Sequence, residues 1–224
     1  MFGPKQSDIE SPPMKLNICK IIAVSTLLAS NAFQSATAAD LLQGGLKQWK
    51  LQKAGAWEIK DGVLGTSEKP GGYIWSKKSY ENFEISLDYK TSEKCNSGLF
   101  FRTDPKNAVQ GGFEIQIASD GLYSGKHVVG SLYDAQEPSA AAGKPDGEWN
   151  TMVLTCNGPS IKVVLNGKQV LDANIEDWDT ANKNPDGSRN KFKTALKDLP
   201  RTGKLGLQYH GHPVWFRNIS LKKL

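Results

Sequence analysis

Ile161-Lys162-Val163-Val164-Leu165-Asn166-Gly167-Lys168-Gln169-Val170-Leu171-Asp172-Ala173 reads as two short apolar-rich runs joined by Asn-Gly. That dipeptide readily takes the two consecutive positive φ values of a two-residue hairpin turn, so the segment predicts an antiparallel hairpin. Working outward, Trp149–Cys156 is another strand-like run, set off from Ile161 by Asn157-Gly158-Pro159. Phe83, Ile85, Leu87 and Tyr89 alternate with Glu84, Ser86 and Asp88, which places the apolar set on one face of a strand. Trp57–Lys60 and Val63-Leu64 flank Asp61-Gly62 as a second hairpin, and Ser97–Thr103, Gly112–Ile117, Gly203–Tyr209 and Val214–Leu221 read as further strands. About a dozen short strands with hardly any helical periodicity predict an all-β domain of two packed antiparallel sheets.

The N-terminus reads differently. Met14-Lys15-Leu16-Asn17-Ile18-Cys19-Lys20 is a short basic start, Ile21–Ala29 is apolar, and Ala36-Thr37-Ala38 has the small-x-small pattern of signal-peptide cleavage. Residues 1–39 are therefore expected to be a leader and secretory signal, with 40–224 a single exported domain without a transmembrane segment, periplasmic or at the cell surface. With 38% hydrophobic and 23% charged residues the chain is globular, and a net charge of +5 in scattered lysines gives no basic stripe for nucleic acid. Cys95 and Cys156 remain outside the signal, as a disulfide or as two buried thiols. Two stretches interrupt the strands: Ala135–Gly147, and the polar Asn174–Arg201 with a turn at Asn184-Pro185-Asp186-Gly187 and one helical turn expected around Lys191–Leu196. Long loops are either binding lids or solvated insertions.

Alternation also locates candidate chemistry. If Phe113, Ile115 and Ile117 face the core, Glu114 and Gln116 face away. Leu205 and Leu207 inward put Gln208 and His210 outward, and Leu99 and Phe101 inward put Phe100 and Arg102 outward. A carboxylate, amides, an imidazole and a guanidinium would then share one sheet surface, although any one of them alone is an ordinary solvent-face residue. Trp75, Tyr123, Tyr133, Trp178 and Trp215 are candidate platforms for sugar rings, and Trp149 reads as structural. Retaining glucanases of the concanavalin-like fold carry Glu-x-Asp-x-x-Glu on a strand. Here Glu114-Ile115-Gln116-Ile117-Ala118-Ser119 has only the first carboxylate, whereas direct retaining hydrolysis needs two about 5 Å apart.

Several phrases in order resemble the bacterial 3-keto-disaccharide hydrolase family. They are Asn96-Ser97-Gly98-Leu99-Phe100-Phe101-Arg102, Gly112-Phe113-Glu114-Ile115-Gln116, Gly130-Ser131-Leu132-Tyr133, Gly147-Glu148-Trp149-Asn150, Leu165-Asn166-Gly167, and Leu205–Gly211 followed by Val214–Ile219. The resemblance implies a concanavalin A-like jelly roll, export, and action on sugars oxidised at C3. A 3-keto group acidifies the C2 hydrogen, so one base suffices: the C1 substituent leaves by β-elimination and water adds back. On that reading Glu114, His210 and Arg102 are the catalytic candidates. Asn96, Gln116, Gln208, Tyr133, Trp215 and Arg217 are expected to bind substrate, Asn96 being alternatively a turn residue and Arg217 a bulge or a rim ion pair. Glu114 and His210 are also the candidate ligands of a divalent cation, Ca or a transition metal. No organic cofactor is expected, and the partner is a sugar, a 3-keto-disaccharide or glycoside. The alternative is a non-catalytic carbohydrate-binding module on the same fold.

Overall fold

The computed structural model describes residues 1–3, 37–66 and 72–224. Most of the expected leader, the apolar run Ile21–Ala29 and the first residue of the expected cleavage motif, Ala36, lie outside the described residues. The β structure begins after Thr37.

Thirteen strands are described: β1 (Ala39–Asp40), β2 (Trp49–Leu51), β3 (Trp57–Lys60), β4 (Val63–Thr66), β5 (Tyr73–Tyr80), β6 (Phe83–Thr91), β7 (Asn96–Thr103), β8 (Phe113–Ala118), β9 (Asn150–Asn157), β10 (Ser160–Leu165), β11 (Lys168–Asn174), β12 (Gly203–Gln208) and β13 (Val214–Lys223). Their pairing is antiparallel throughout. One sheet has eight strands, in the order β11-β10-β9-β6-β13-β4-β3 with β1 added alongside β13. The other has five, in the order β2-β5-β12-β7-β8. The two hairpins expected from sequence form as read: Asp61 and Gly62 have φ of 51° and 76°, and Asn166 and Gly167 have 50° and 81°, the positive pair that matches the twist of the flanking strands.

The core lies between the inner faces. Phe83, Ile85, Leu87 and Tyr89 of β6 are buried, as are Leu99 and Phe101 of β7, Phe113, Ile115 and Ile117 of β8, and Leu205 and Leu207 of β12. Phe83 meets Phe101 edge-on across the sheets at 6.5 Å between ring centroids, and Phe101 stacks on Phe113 at 5.4 Å. Each such side chain contributes about 1.5–3 kcal/mol on burial. Cys95 and Cys156 are separate buried thiols, and burial pushes both up to about 12, so neither is a reactive thiolate at neutral pH.

Sequence periodicity missed β5, because its burial runs half-buried, three buried, three exposed, buried, with no period of two. A register shift opposite it, between Lys204 and Gly206 of β12, accounts for the break. The expected helical turn of the long polar loop lies further on, at Leu196–Asp198. That loop folds against the 126–134 segment: Lys191 N donates to Asp134 Oδ2 at 2.7 Å, and Asn184 Nδ2 donates to Asp134 O at 3.3 Å. No described helix is long and apolar enough to cross a membrane.

Candidate active site

Register on the five-stranded sheet decides which polar residues meet. On its outer face Trp75 of β5, Gly206 of β12, Phe100 of β7 and Glu114 of β8 form one cross-strand row. Tyr73 and Gln208 are paired beside it, and Gly98 pairs with Gln116. Gly98 has no side chain, and a Cβ there would overlap the Glu114 carboxyl. Glu114 therefore lies across the backbone of β7. Gly206 makes room in the same way for the Trp75 ring, a close approach that only glycine in a strand permits.

Glu114 is 8% exposed, and its side chain takes no hydrogen bond from any described residue. Burial without a partner pushes its carboxyl up to about 8, with the Lys191 charge pulling the other way. Lys191 comes from the long loop. Its Nζ sits 3.7 Å from the centroid of the Tyr133 ring, and burial lowers its pKa against the opposing pull of Asp134 and Glu114. Tyr133 is set beside Glu114 by its backbone N–H, which donates to Glu114 O at 3.0 Å, and its ring lies 4.8 Å from that of His127. His127 in turn pairs with Asp134 Oδ1 at 2.9 Å. Across the face, Gln208 Nε2 donates to the Tyr73 hydroxyl at 3.1 Å. Tyr73 is held neutral by burial and by the Glu114 charge, which together outweigh the Gln208 bond. Its own O–H is free to donate.

A second polar chain runs from the same strand. Gln116 Nε2 donates to Asn96 Oδ1 at 3.1 Å, and Asn96 Nδ2 reaches His210 Nδ1 at 3.2 Å. With Asn96 donating, Nδ1 accepts, and in that tautomer the ring proton is on Nε2. The Gln116 Oε1 atom is buried without a partner.

The structure thus brings together Glu114, Gln116, Asn96, Gln208, His210 and Tyr133. It does not bring in three other candidates. Arg102 has a φ of 49° at a bulge and is fully buried. Its guanidinium donates to Glu81 O and Gly158 O at 2.8 Å and to Asn82 Oδ1 at 3.2 Å, tying two turns together. Trp215 and Arg217 belong to β13 of the eight-stranded sheet. Trp215 packs against Gly65, and Arg217 pairs with Asp88 at 3.2 Å beside a bulge. Trp215 is an aromatic platform candidate by sequence, and of the readings of Arg217 it is the bulge and the rim ion pair that form. Trp178 is a core residue whose Nε1 donates to Asn184 Oδ1 at 2.9 Å. Lys191 and Tyr73 were not anticipated, one lying in an aperiodic loop and the other on the unrecognised β5. The glycines inside β7 and β12 were the available signal for the flattened Glu114 and Trp75. Among the described residues no three His, Cys, Asp or Glu side chains cluster as a metal site.

Residues 37–222 match the 3-keto-alpha-glucoside-1,2-lyase-like domain. The chain belongs to this family. A 3-keto-disaccharide hydrolase of Bacteroides thetaiotaomicron is 25% identical over 204 residues, covering 75% of this chain and 70% of the relative. The crystal structure of a proposed glycosyl hydrolase from Parabacteroides distasonis superposes with a TM-score of 0.78 at 35% identity, over 84% of this chain and all of that one. A Bacillus subtilis protein with a galectin-like fold superposes at 0.51 with 12% identity, over 81% of this chain and 91% of that one, which supports the jelly-roll architecture alone. Membership of the 3-keto-alpha-glucoside-1,2-lyase-like family and these relatives place the chain among glycoside-hydrolase-like proteins.

Proposed function

We propose that the chain cleaves 3-keto-glycosides on the outer face of the five-stranded sheet, by elimination followed by hydration. The observation that carries the reading is the buried, unpartnered Glu114 carboxyl at about 8, near the pH at which an acid–base group works best. The ionised form is then a far stronger base than an ordinary carboxylate.

In this reading Glu114 removes the C2 proton, and the C2–H electron pair becomes the C2=C3 bond of an enolate with its charge on O3. The enolate collapses: C3=O re-forms, C1=C2 forms, and the C1–O bond breaks. The departing oxygen takes the proton that Glu114 holds. Water then adds its oxygen to C1 and a proton to C2, so the net reaction is hydrolysis. The free Tyr73 hydroxyl and the Lys191 ammonium supply donors and positive charge for the enolate oxygen, and His210 Nε2–H and Gln208 bind sugar hydroxyls. No second carboxylate is needed. A divalent cation held by Glu114 and His210 would supply Lewis-acid polarisation of the keto group as an alternative to these roles of the two residues and not in addition to them, because a ligating His210 would have to give up its Nε2–H.

The test is mass spectrometry of the purified chain with 3-keto-trehalose and with trehalose, with and without EDTA. The expected result is release of glucose together with a 3-keto-sugar or its enone from the oxidised substrate only. Glu114→Gln should lower turnover about a thousandfold while sugar affinity is kept. No product from a panel of 3-keto-disaccharides, with sugar binding intact, would overturn the catalytic reading in favour of a carbohydrate-binding module.

A further inference from the structure

Beyond Trp75 the same sheet face opens into a groove of about 500 Å³ that excludes Glu114. Its walls carry Lys50 of β2, Lys77 of β5, Lys204 of β12, and Lys106 from the turn after β7, over a floor that includes Leu51 and Trp75. Four lysines line it, and no described acidic residue does. The chain has 23 acidic residues available, yet none of these four lysines forms an ion pair with a described residue, whereas Lys126, Lys162 and Lys197 do. Lys204 Nζ donates to the Lys77 carbonyl at 2.6 Å, which holds one ammonium on the rim. The nearby Asp104 carboxylate is engaged with the Lys106 backbone N–H at 3.0 Å and has no ion pair with its ammonium. Like charges gathered without counter-charges cost free energy, and an incoming anion relieves that cost.

The groove is continuous with the site through aromatic contacts. Trp75 stacks on Tyr73 at 4.7 Å and meets Phe100 edge-on at 6.0 Å, and Phe100 is the cross-strand neighbour of Glu114. Lys204 lies four residues from Gln208 along β12, roughly 13 Å at the usual strand rise. A neighbouring sugar unit, its charged substituent and an extended lysine side chain together span that distance.

We infer that this groove is a second subsite for an anionic substituent, a carboxylate or a phosphate monoester, on the sugar unit next to the one that is cleaved. The inference rests on the glycoside reading above and narrows its substrate class to acidic disaccharides. Binding tests it without turnover, so its failure is separable from failure of the catalytic proposal.

The measurement is isothermal titration of the full chain with two matched pairs: lactobionate against lactose, and trehalose 6-phosphate against trehalose. The Trp75 indole N–H is followed by NMR in parallel, with inorganic phosphate as a further probe. At about 30 mM salt the anionic member of at least one pair should bind tenfold or more tightly than its neutral partner, and the preference should shrink toward unity at 0.5 M salt. Which pair responds distinguishes carboxylate from phosphate. The double variant Lys50→Ala/Lys106→Ala removes two exposed side chains. It should abolish the preference and the phosphate-induced shift of the Trp75 signal, leaving neutral-sugar affinity unchanged, while Lys168→Ala on the far hairpin changes nothing. Equal affinities within both pairs, or a preference that survives the double variant, would overturn the inference.

Discussion

The outer faces of the two sheets carry similar side chains and handle them in opposite ways. On the eight-stranded face, Asp88 is bonded by Thr151 at 2.7 Å, Asn218 at 2.7 Å and Arg217 at 3.2 Å. Partial burial pushes its carboxyl up, but these bonds and the Arg217 charge together bring it below the ordinary range. The Arg217 guanidinium lies 4.1 Å from the Trp149 ring centroid, and Lys90 sits 4.9 Å from that of Trp215. Asp88 and Arg217 are partners of each other, while Lys90 rests on aromatic rings. On the five-stranded face, Glu114 is buried with no hydrogen bond, and Lys191 is perched on an aromatic ring instead of a carboxylate. Paired charges on a sheet surface stabilise a fold modestly and react with nothing. An unpaired buried carboxyl costs stability and is kept where chemistry needs it.

Gly98 offers the sharpest way to break this contrast. Gly98→Ala puts a methyl group where the Glu114 carboxyl lies. The carboxyl is the end of a flexible side chain, so it swings away and the sheet stays paired. Turnover of a 3-keto-disaccharide is expected to fall at least a hundredfold with the circular dichroism spectrum retained, since displacement of a catalytic group by about 1 Å costs that much. The corresponding position on the other face is Gly65, where an added Cβ would come within 2.9 Å of the Trp215 ring, and Gly65→Ala should leave turnover per folded molecule unchanged. Equal losses from the two variants would mean that the faces do not differ in function.

Arg102 tests a different boundary, between a buried charge that builds the fold and one that acts. Arg102→Met leaves Glu81 O, Gly158 O and Asn82 Oδ1 without their guanidinium donors. Loss of three half-buried hydrogen bonds from a charged donor costs about 3 kcal/mol in total, Asn82 Oδ1 keeping the Gly158 N–H at 2.9 Å. The expected outcome in urea denaturation is a stability lower by that amount with an unchanged slope, and a normal kcat/KM for the folded fraction. A loss of kcat/KM without loss of stability would return Arg102 to the active site.

Arg102 also shows where the sequence stops being legible. Most strands other than β5, both tight hairpins and the two-sheet architecture follow from alternation and turn chemistry, which are local. Glu114, Gln116, Gln208 and His210 could be grouped because alternation holds on β8 and at the Leu205–Gln208 end of β12, whereas Asn96 reads as an orienting amide or a turn residue. Arg102 looked equivalent, but the bulge that turns it aside arises from pairing with β12, a partner about a hundred residues away. Trp215 and Arg217 read as substrate-binding without regard to their sheet, because sheet membership depends on long-range pairing. Lys191 reaches Tyr133 only because Asp134 and Gln110 anchor the backbone on either side of it. Those anchors leave no periodic trace.

The smallest expected effect is also the most direct comparison of the two carboxyls, because their pH linkage has opposite sign. Glu114 is raised from 4.5 to about 8, so the folded state holds its proton more tightly than the unfolded chain. Stability is therefore highest below pH 4.5 on this account and is lost as pH rises toward 8. The shift corresponds to about 5 kcal/mol at most, and since a substituting amide must also be buried, Glu114→Gln should gain roughly 2 kcal/mol at pH 9. Asp88 is lowered, so its contribution is present above its unfolded value and is lost as pH falls through the folded one. Asp88→Asn should cost under about 1 kcal/mol at pH 7 and progressively less as pH falls below the unfolded value. Thermal melts of both variants against the parent chain between pH 2 and 9 read the two signs together. Parallel curves would mean that Glu114 is as well paired as Asp88, and would remove the physical basis for assigning it the proton transfer.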